Sequence, residues 1–313
     1  MHRGRLLVTG SSGLIGRAVV KELRAAGMAV TGIDLREQDT HRVDIVDTAR
    51  VASHLEGVSG IIHLAAVARV TSAEENPNAC RAVNIEATGG ILAAAQRARE
   101  KPWVLFASSR EVYGEQDTLP VREDAPLRPK NVYAKSKFDG ELLVEAARRN
   151  GLQTSIVRFS NVYGSIDDYP DRVIPAFAAA AARGGTMHLD GSDCELDFTH
   201  VDDVAEGVLR VVELLARGER SLPPIHLASG QGTTLLALAR LANEINGRRA
   251  RIVEGPARSV GVRSFVGDPE RARALLGWSA STDLRAGIAK LSYDFTASGI
   301  AERPETRARA APA

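Results

Sequence analysis

The sequence predicts an α/β chain: a doubly wound parallel sheet joined to a smaller, interleaved C-terminal lobe. Two observations carry that reading. Through residue 164, short β-branched runs alternate with longer amphipathic runs, as parallel strands joined by helical crossovers on both faces of one sheet require. After residue 165 the alternation becomes irregular, with loops rich in Gly, Asp and Arg between the elements. A chain of 313 residues can bury a substantial core, as one large domain or two closely joined ones.

The elements follow in order. "RLLVTG" (5–10) reads as a buried strand, and "LIGRAVVKELRAAG" (14–27) as a helix with a glycine stop. "AVTGID" (29–34) is a second strand, "VDTARVASHLEG" (46–57) a helix and "GIIHLAA" (60–66) a strand. A helix over 83–100 leads to the strand "PWVLFASS" (102–109), and a long helix over 132–151 to a strand over 153–164. Further on, 200–218 has the apolar stripe of a helix, "IHLASG" (225–230) is a short strand and 235–247 a helix. These elements place one domain at 1–165, with a return segment near 197–230. The second lobe then takes 166–196 and 231–300. The tail 301–313 lacks an apolar period and is expected to be disordered.

Composition narrows the function. With 44% hydrophobic and 25% charged residues and a net charge of +1, nothing favours a nucleic-acid or anionic-membrane surface. Cys80 and Cys194 match no metal spacing and read as free thiols of a reducing compartment. The start, "MHRGRLLVTG", has no signal-peptide hydrophobic region. The longest apolar stretch, 173–182, is about half of what a membrane span needs. A cytoplasmic protein is expected.

Two motifs carry chemistry. Gly10, Gly13 and Gly16 stand at spacing three between a strand and a helix, where glycine permits a tight turn and close approach to a pyrophosphate. The turn and helix start (Gly10, Gly13, Leu14, Ile15, Gly16) form the candidate phosphate cradle of a Rossmann-like domain. Asp34, Leu35 and Arg36 end the next strand. A carboxylate there takes ribose hydroxyls and repels a 2′-phosphate, which favours NAD over NADP, with Arg36 as a counterweight. Tyr133 and Lys137 are four apart, so on a helix they share one face. A cation beside the phenol lowers its pKa from about 10 and readies it for proton exchange with a sugar or alcohol hydroxyl.

On these and further pieces the chain resembles the extended short-chain dehydrogenases/reductases of the NAD-dependent epimerase/dehydratase family, which modify nucleotide sugars. The pieces are "TGSSGLIG", "GID" (32–34), "VDI" (43–45), "IIHLAA" (61–66), "VNIEAT" (83–88), "ASSREVYGE" (107–115), "NVYAKSKFDGE" (131–141), "RFSNVYG" (158–164), "DFTHVDDVAEG" (197–207) and "RARALLGW" (271–278). They cover roughly residues 4–295 in order. The resemblance implies bound NAD, with Asp44 and Ile45 at the adenine, Leu64, Ala65 and Ala66 along the pyrophosphate and ribose, and Asn84 steadying the site. It implies Ser109 on the sugar hydroxyl, Tyr133 as general base, and Lys137 on the nicotinamide ribose. Asn161 and Arg258 would meet the substrate phosphates, with Arg172 a further substrate-side candidate. It also implies a homodimer through the helices near 87–100 and 132–150, and a UDP-sugar substrate, with dTDP-sugar next. One departure stands out: where relatives often carry an arginine before "DF", this chain has Leu196.

The pair after Ser109 is the open question. In sugar-nucleotide dehydratases and uronic-acid decarboxylases of the family, a glutamate stands at the position of Glu111 and works at C5 of the sugar. Here Arg110 replaces its usual partner, and arginine cannot give up a proton near neutral pH. Three readings stand: a rim ion pair, Glu111 as acid/base, or Arg110 as reader of a carboxylate or phosphate. The resulting expectation is a 4-epimerase working through a transient 4-keto sugar. A dehydratase or decarboxylase using Glu111 comes second, and an inactive NAD-binding regulator third.

Overall fold

The computed structural model describes residues 4–220, 222–256 and 261–298. Eleven strands occur among them: β1 Arg5–Thr9, β2 Val30–Ile33, β3 Val58–His63, β4 Trp103–Ser109, β5 Thr154–Phe159, β6 Asn161–Tyr163, β7 Thr186–Asp190, β8 Glu195–His200, β9 Ile225–Leu227, β10 Gly232–Thr234 and β11 Arg251–Gly255. Six of them form a fully parallel sheet in the order β2-β1-β3-β4-β5-β9. The order reverses between β1 and β3, so a crevice opens at the carboxyl ends of those strands.

The sheet is apolar on both faces because helices cover both. Leu6 and Val8 point to the face covered by the helices Leu14–Ala25 and Val201–Ala216. Leu7, between them, points to the face covered by the helices Ala87–Arg97 and Val132–Arg149. A separate apolar cluster, with Phe177, Met187, Phe198, Leu238 and Phe295, lies around two small sheets, β10-β8-β6 and β11-β7.

The sequence reading needs revision in four places. The expected strand 153–164 is two strands, broken at Ser160: β5 belongs to the large sheet, and β6 pairs with β8 in a small one. Ser160 Oγ bonds Asp197 Oδ1 and Thr199 Oγ1, which pins the switch point. The expected helix over 46–57 shrinks to Thr48–Ala52, because Asp47 caps its start and a turn at Gly57, with positive φ, feeds β3. The helix expected from 83 begins with a π turn over Ala82–Glu86. The return to the large sheet's flank starts at Val201, since 195–200 belong to a small sheet. The tail 301–313 lies outside the described residues. Among those described, no helix is long and apolar enough to cross a membrane, and no three His, Cys, Asp or Glu gather as a metal site.

Candidate active site

The glycine turn is shaped by neighbours that exclude side chains. Gly10 has φ +73°, and a Cβ there would press on the backbone of Leu64 and Ala65. A Cβ on Gly16 would overlap the Gly10 carbonyl. Leu64 N donates to the Thr9 carbonyl at 3.2 Å and Ala65 N to Thr9 Oγ1 at 3.3 Å, so residues 64–66 run alongside the turn. Gly13 is the N-cap of the first helix and offers no side-chain cap, leaving the first amides of that helix to an anion. Leu14 and Ile15 pack against the core beneath.

Asp34 sits beyond the end of β2. It accepts from Ser12 N at 3.2 Å and from Arg36 N at 2.9 Å, and Arg36 Nε approaches at 3.4 Å. Arg36, the expected counterweight to the NAD preference, is thus held by the Asp34 carboxylate. Leu35 points to solvent, 58% exposed. Val43 N bonds the Asp34 carbonyl, which brings 43–45 beside it, with Ile45 buried and Asp44 exposed. Cradle, carboxylate and the 64–66 strip therefore fit a dinucleotide.

The helix Val132–Arg149 is capped by Asn131, whose Oδ1 accepts from Ala134 N at 2.7 Å. Its buried face carries Tyr133, Ser136, Lys137, Gly140 and Glu141, at the three-to-four spacing of one helix side. Gly140 lets the helix approach the Phe106 ring, where a Cβ would collide. Lys137 Nζ donates to the Ala107 carbonyl at 2.8 Å. Asn84 braces the other side: it exchanges two bonds with the Val67 backbone and donates to Ser136 Oγ at 2.8 Å. It lies within the π turn, a local widening often found at working sites.

The electrostatics differ from the simple tyrosine–lysine reading. Burial pushes the Tyr133 phenol up to about 12, although its hydrogen bond with Ser109 and the charge of Arg172 pull the other way. Burial lowers Lys137 to about 8. In the chain alone the lysine does not leave the phenol below its ordinary value, because loss of water outweighs the favourable contacts.

Arg110 and Glu111 are not at a rim. Their side chains are 1% and 0% exposed, and Arg110 Nη2 lies 3.2 Å from Glu111 Oε1. Asn131 Nδ2 donates to Glu111 Oε2 at 3.0 Å. Burial raises the Glu111 pKa, with Arg110 opposing.

On the substrate side, Asn161 and Arg172 line one cleft with Tyr163, Asp168, Ile174 and Phe198. Asn161 Nδ2 is engaged by the Asp197 carbonyl at 2.9 Å. Arg172 pairs with Asp168 at 3.5 Å and sits over the Tyr169 ring. Arg258 lies outside the described residues. Leu196 is buried in β8, and Arg263 is at the surface beside Asp193. Asn131, Asp168 and Arg69, which pairs with Asp171 and lies over the Tyr169 ring, were not singled out from the sequence. Asn131 was findable as a capping residue ahead of a helix; Arg69 and Asp168 sit in loops with no periodic signal. His63, as a core histidine, bonds Thr9 Oγ1 and Thr88 Oγ1, and His200 caps its helix through Asp202 N.

The comparisons agree with this architecture. The family model described as NAD dependent epimerase/dehydratase family matches residues 6–222. The UDP-glucose 4-epimerase of Mycolicibacterium smegmatis is 31% identical, over 91% of this chain and 96% of its own. Among solved structures, UDP-glucose-4-epimerase from Stenotrophomonas maltophila, with NAD and formylated UDP-arabinopyranose, superposes with TM-score 0.86 at 25% identity, over 95% of this chain and all of its own (100%). MoeE5 in complex with UDP-glucuronic acid and NAD gives 0.83 at 29% identity, over 95% and 100%. The family match takes in both the glycine turn and the tyrosine helix, and the chain belongs to the NAD-dependent epimerase/dehydratase family.

Proposed function

We infer that this chain is an NAD-dependent UDP-sugar 4-epimerase. The observation that carries it is the meeting of Tyr133, Ser109 and Lys137, all buried, at the carboxyl edge of β4 beside the glycine cradle. The names of the relatives and the ligands of the solved neighbours support the UDP-sugar and the C4 chemistry. When bound, NAD+ supplies the hydride acceptor at the sugar C4 and a cation beside the phenol. Gly10, Gly13, Gly16 and the amides after them would hold its pyrophosphate, and Asp34 would take its adenosine ribose. Tyr133, with Ser109 bonded to it, removes the proton from the C4 hydroxyl and returns it after the 4-keto sugar has presented its other face. Lys137, held on the Ala107 carbonyl, would hold the nicotinamide ribose. Asn161 and Arg172 line the cleft that takes the substrate's diphosphate.

Glu111 has one oxygen on Asn131 and the other facing Arg110, which supports a fixed anion over a base that works at C5. A dTDP-sugar ranks below UDP. A homodimer is assigned to the helices Ala87–Arg97 and Val132–Arg149, where Leu142 is 52% exposed; light scattering at working concentration reads it, and a monomer rejects it. The reaction itself is tested by proton NMR in D2O with UDP-glucose, UDP-galactose and UDP-glucuronate. A C4 epimer without solvent deuterium is expected. Deuterium at C5, or loss of water or carbon dioxide, overturns the assignment.

A further inference from the structure

Arg110 is a buried arginine with its hydrogen-bonding capacity unused. It is 1% exposed, yet Nε, Nη1 and Nη2 all lack a hydrogen-bond partner. Buried polar groups in folded chains nearly always have partners. Arginine cannot escape the problem by losing its proton, and its five N–H donors form a fork that matches a carboxylate or a phosphate. The neighbours do not fill that fork. Glu111 Oε1 stands 3.2 Å from Nη2 and compensates the charge without a well-aligned hydrogen bond. The face of the guanidinium lies 5.9 Å from the Phe265 ring.

The surroundings tie this fork to the sugar site. Ser109, the preceding residue, accepts from Glu111 N at 3.2 Å, and both act on the Tyr133 phenol, Ser109 lowering its pKa and the charge of Glu111 raising it. Phe265 is paired through its backbone to Glu195 and Asp197, so it brackets Leu196, which offers no charge. Arg110 therefore brings a positive charge from the tip of β4 to the junction of the large sheet with β8.

We propose that Arg110 is a recognition residue for an anionic oxygen pair of the substrate: the C6 carboxylate of a nucleotide-linked uronate, or oxygens of the diphosphate. This rests on the nucleotide-sugar reading above. Glu111, fixed by Asn131, holds the guanidinium in place until the substrate anion satisfies its free N–H groups.

The test compares the wild-type chain with Arg110→Met and Arg110→Lys, each checked for fold by circular dichroism and for NADH binding by fluorescence. Calorimetric titration in the presence of NAD+ then uses UDP, UDP-glucose and UDP-glucuronate. Loss of a charge-assisted pair weakens binding by about 10- to 150-fold. A loss confined to UDP-glucuronate identifies the carboxylate, and an equal loss for all three identifies the diphosphate; both support the proposal. Arg110→Lys keeps the charge without the fork and is expected to fall between the two proteins. It is read by the same pattern if Arg110→Met does not fold. Unchanged affinities in a folded, NADH-binding variant, while the wild type binds, overturn this proposal alone. A wild type that binds none of the three overturns the nucleotide-sugar reading, and the proposal with it.

Discussion

Lys137 Nζ is bonded to the carbonyl oxygen of Ala107 at 2.8 Å, so the ammonium one helical turn after Tyr133 is anchored to the strand that ends in Ser109. Ser108 Oγ donates to Glu141 Oε1 at 2.5 Å one turn further along the same helix. The phenol and the serine hydroxyl are thus held in register by bonds that neither makes itself. Such rigidity suits a proton transfer that requires fixed geometry.

That geometry makes Tyr133→Phe the sharpest probe of catalysis. The variant retains the ring packing with Val70, Ala73 and Cys80 and loses only the hydroxyl. Turnover is expected to fall by about 10²- to 10⁴-fold, while NADH binding by fluorescence is unchanged. Turnover close to wild type would remove Tyr133 from the chemistry.

Two buried histidines set an acid limit on stability. Burial lowers His63 and His226 from 6.5 to about 3. The folded values lie below the unfolded ones, so this contribution is complete above pH 6.5 and is lost as pH falls toward 3. Within that window the unfolded chain binds the extra protons, and each histidine costs about 1.4 kcal/mol per pH unit. The urea midpoint is expected to drop between pH 6.5 and 5, and His226→Gln to reduce the steepness of that drop. An identical slope in the variant would count against the assignment.

Arg158 and Glu141 form a buried bidentate pair, with bonds of 2.9 and 2.6 Å, and Arg158 also donates to the Tyr113 hydroxyl at 2.6 Å. Glu141→Ala leaves the guanidinium without its counter-charge and is expected to cost about 3–5 kcal/mol in urea unfolding. The double variant Arg158→Met with Glu141→Leu is expected to cost less than that single change. The reverse ranking would show that the pair is worth more than its desolvation.

Gly16→Ala tests the cradle. The added Cβ overlaps the Gly10 carbonyl, a backbone atom that can give way only by moving the turn. Overpacking of this kind costs about 1–3 kcal/mol, and NADH affinity is expected to fall with it. Equal affinity and an unchanged urea midpoint would show that the turn is looser than its contacts indicate.

Much of the large sheet was legible, because its strands are short continuous apolar runs and its helices have clean stripes; β4 and the helix Val132–Arg149 fall within a residue or two of their expected bounds. The glycine turn, Asp34 and the Tyr133–Lys137 pair could be proposed from local spacing along one strand or helix, whereas Ser109 was proposed from the family resemblance. The smaller sheets were not. The strands β7, β8, β10 and β11 are three to six residues long and pair with segments distant in sequence, so their register is set by tertiary contact. The burial of Arg110 and Glu111 was hidden for the same reason, since Val262 and Phe265, which close over that corner, come from the far end of the chain.

The split at Ser160 bears on how this protein could be re-engineered by recombination. One residue separates a strand of the large sheet from a strand of the small one, and the chain passes back into the large sheet at β9 before leaving it again. The sugar-facing part is therefore not a cassette that a single splice can exchange. A chimera with a different specificity needs crossovers near 160, 200 and 230 and again on both sides of 270–280, where Ala272 and Trp278 rejoin the large-sheet core, and the first must preserve the Ser160–Asp197–Thr199 bonds. Grafts that cut these bonds should fail to fold whatever sugar they were built to accept.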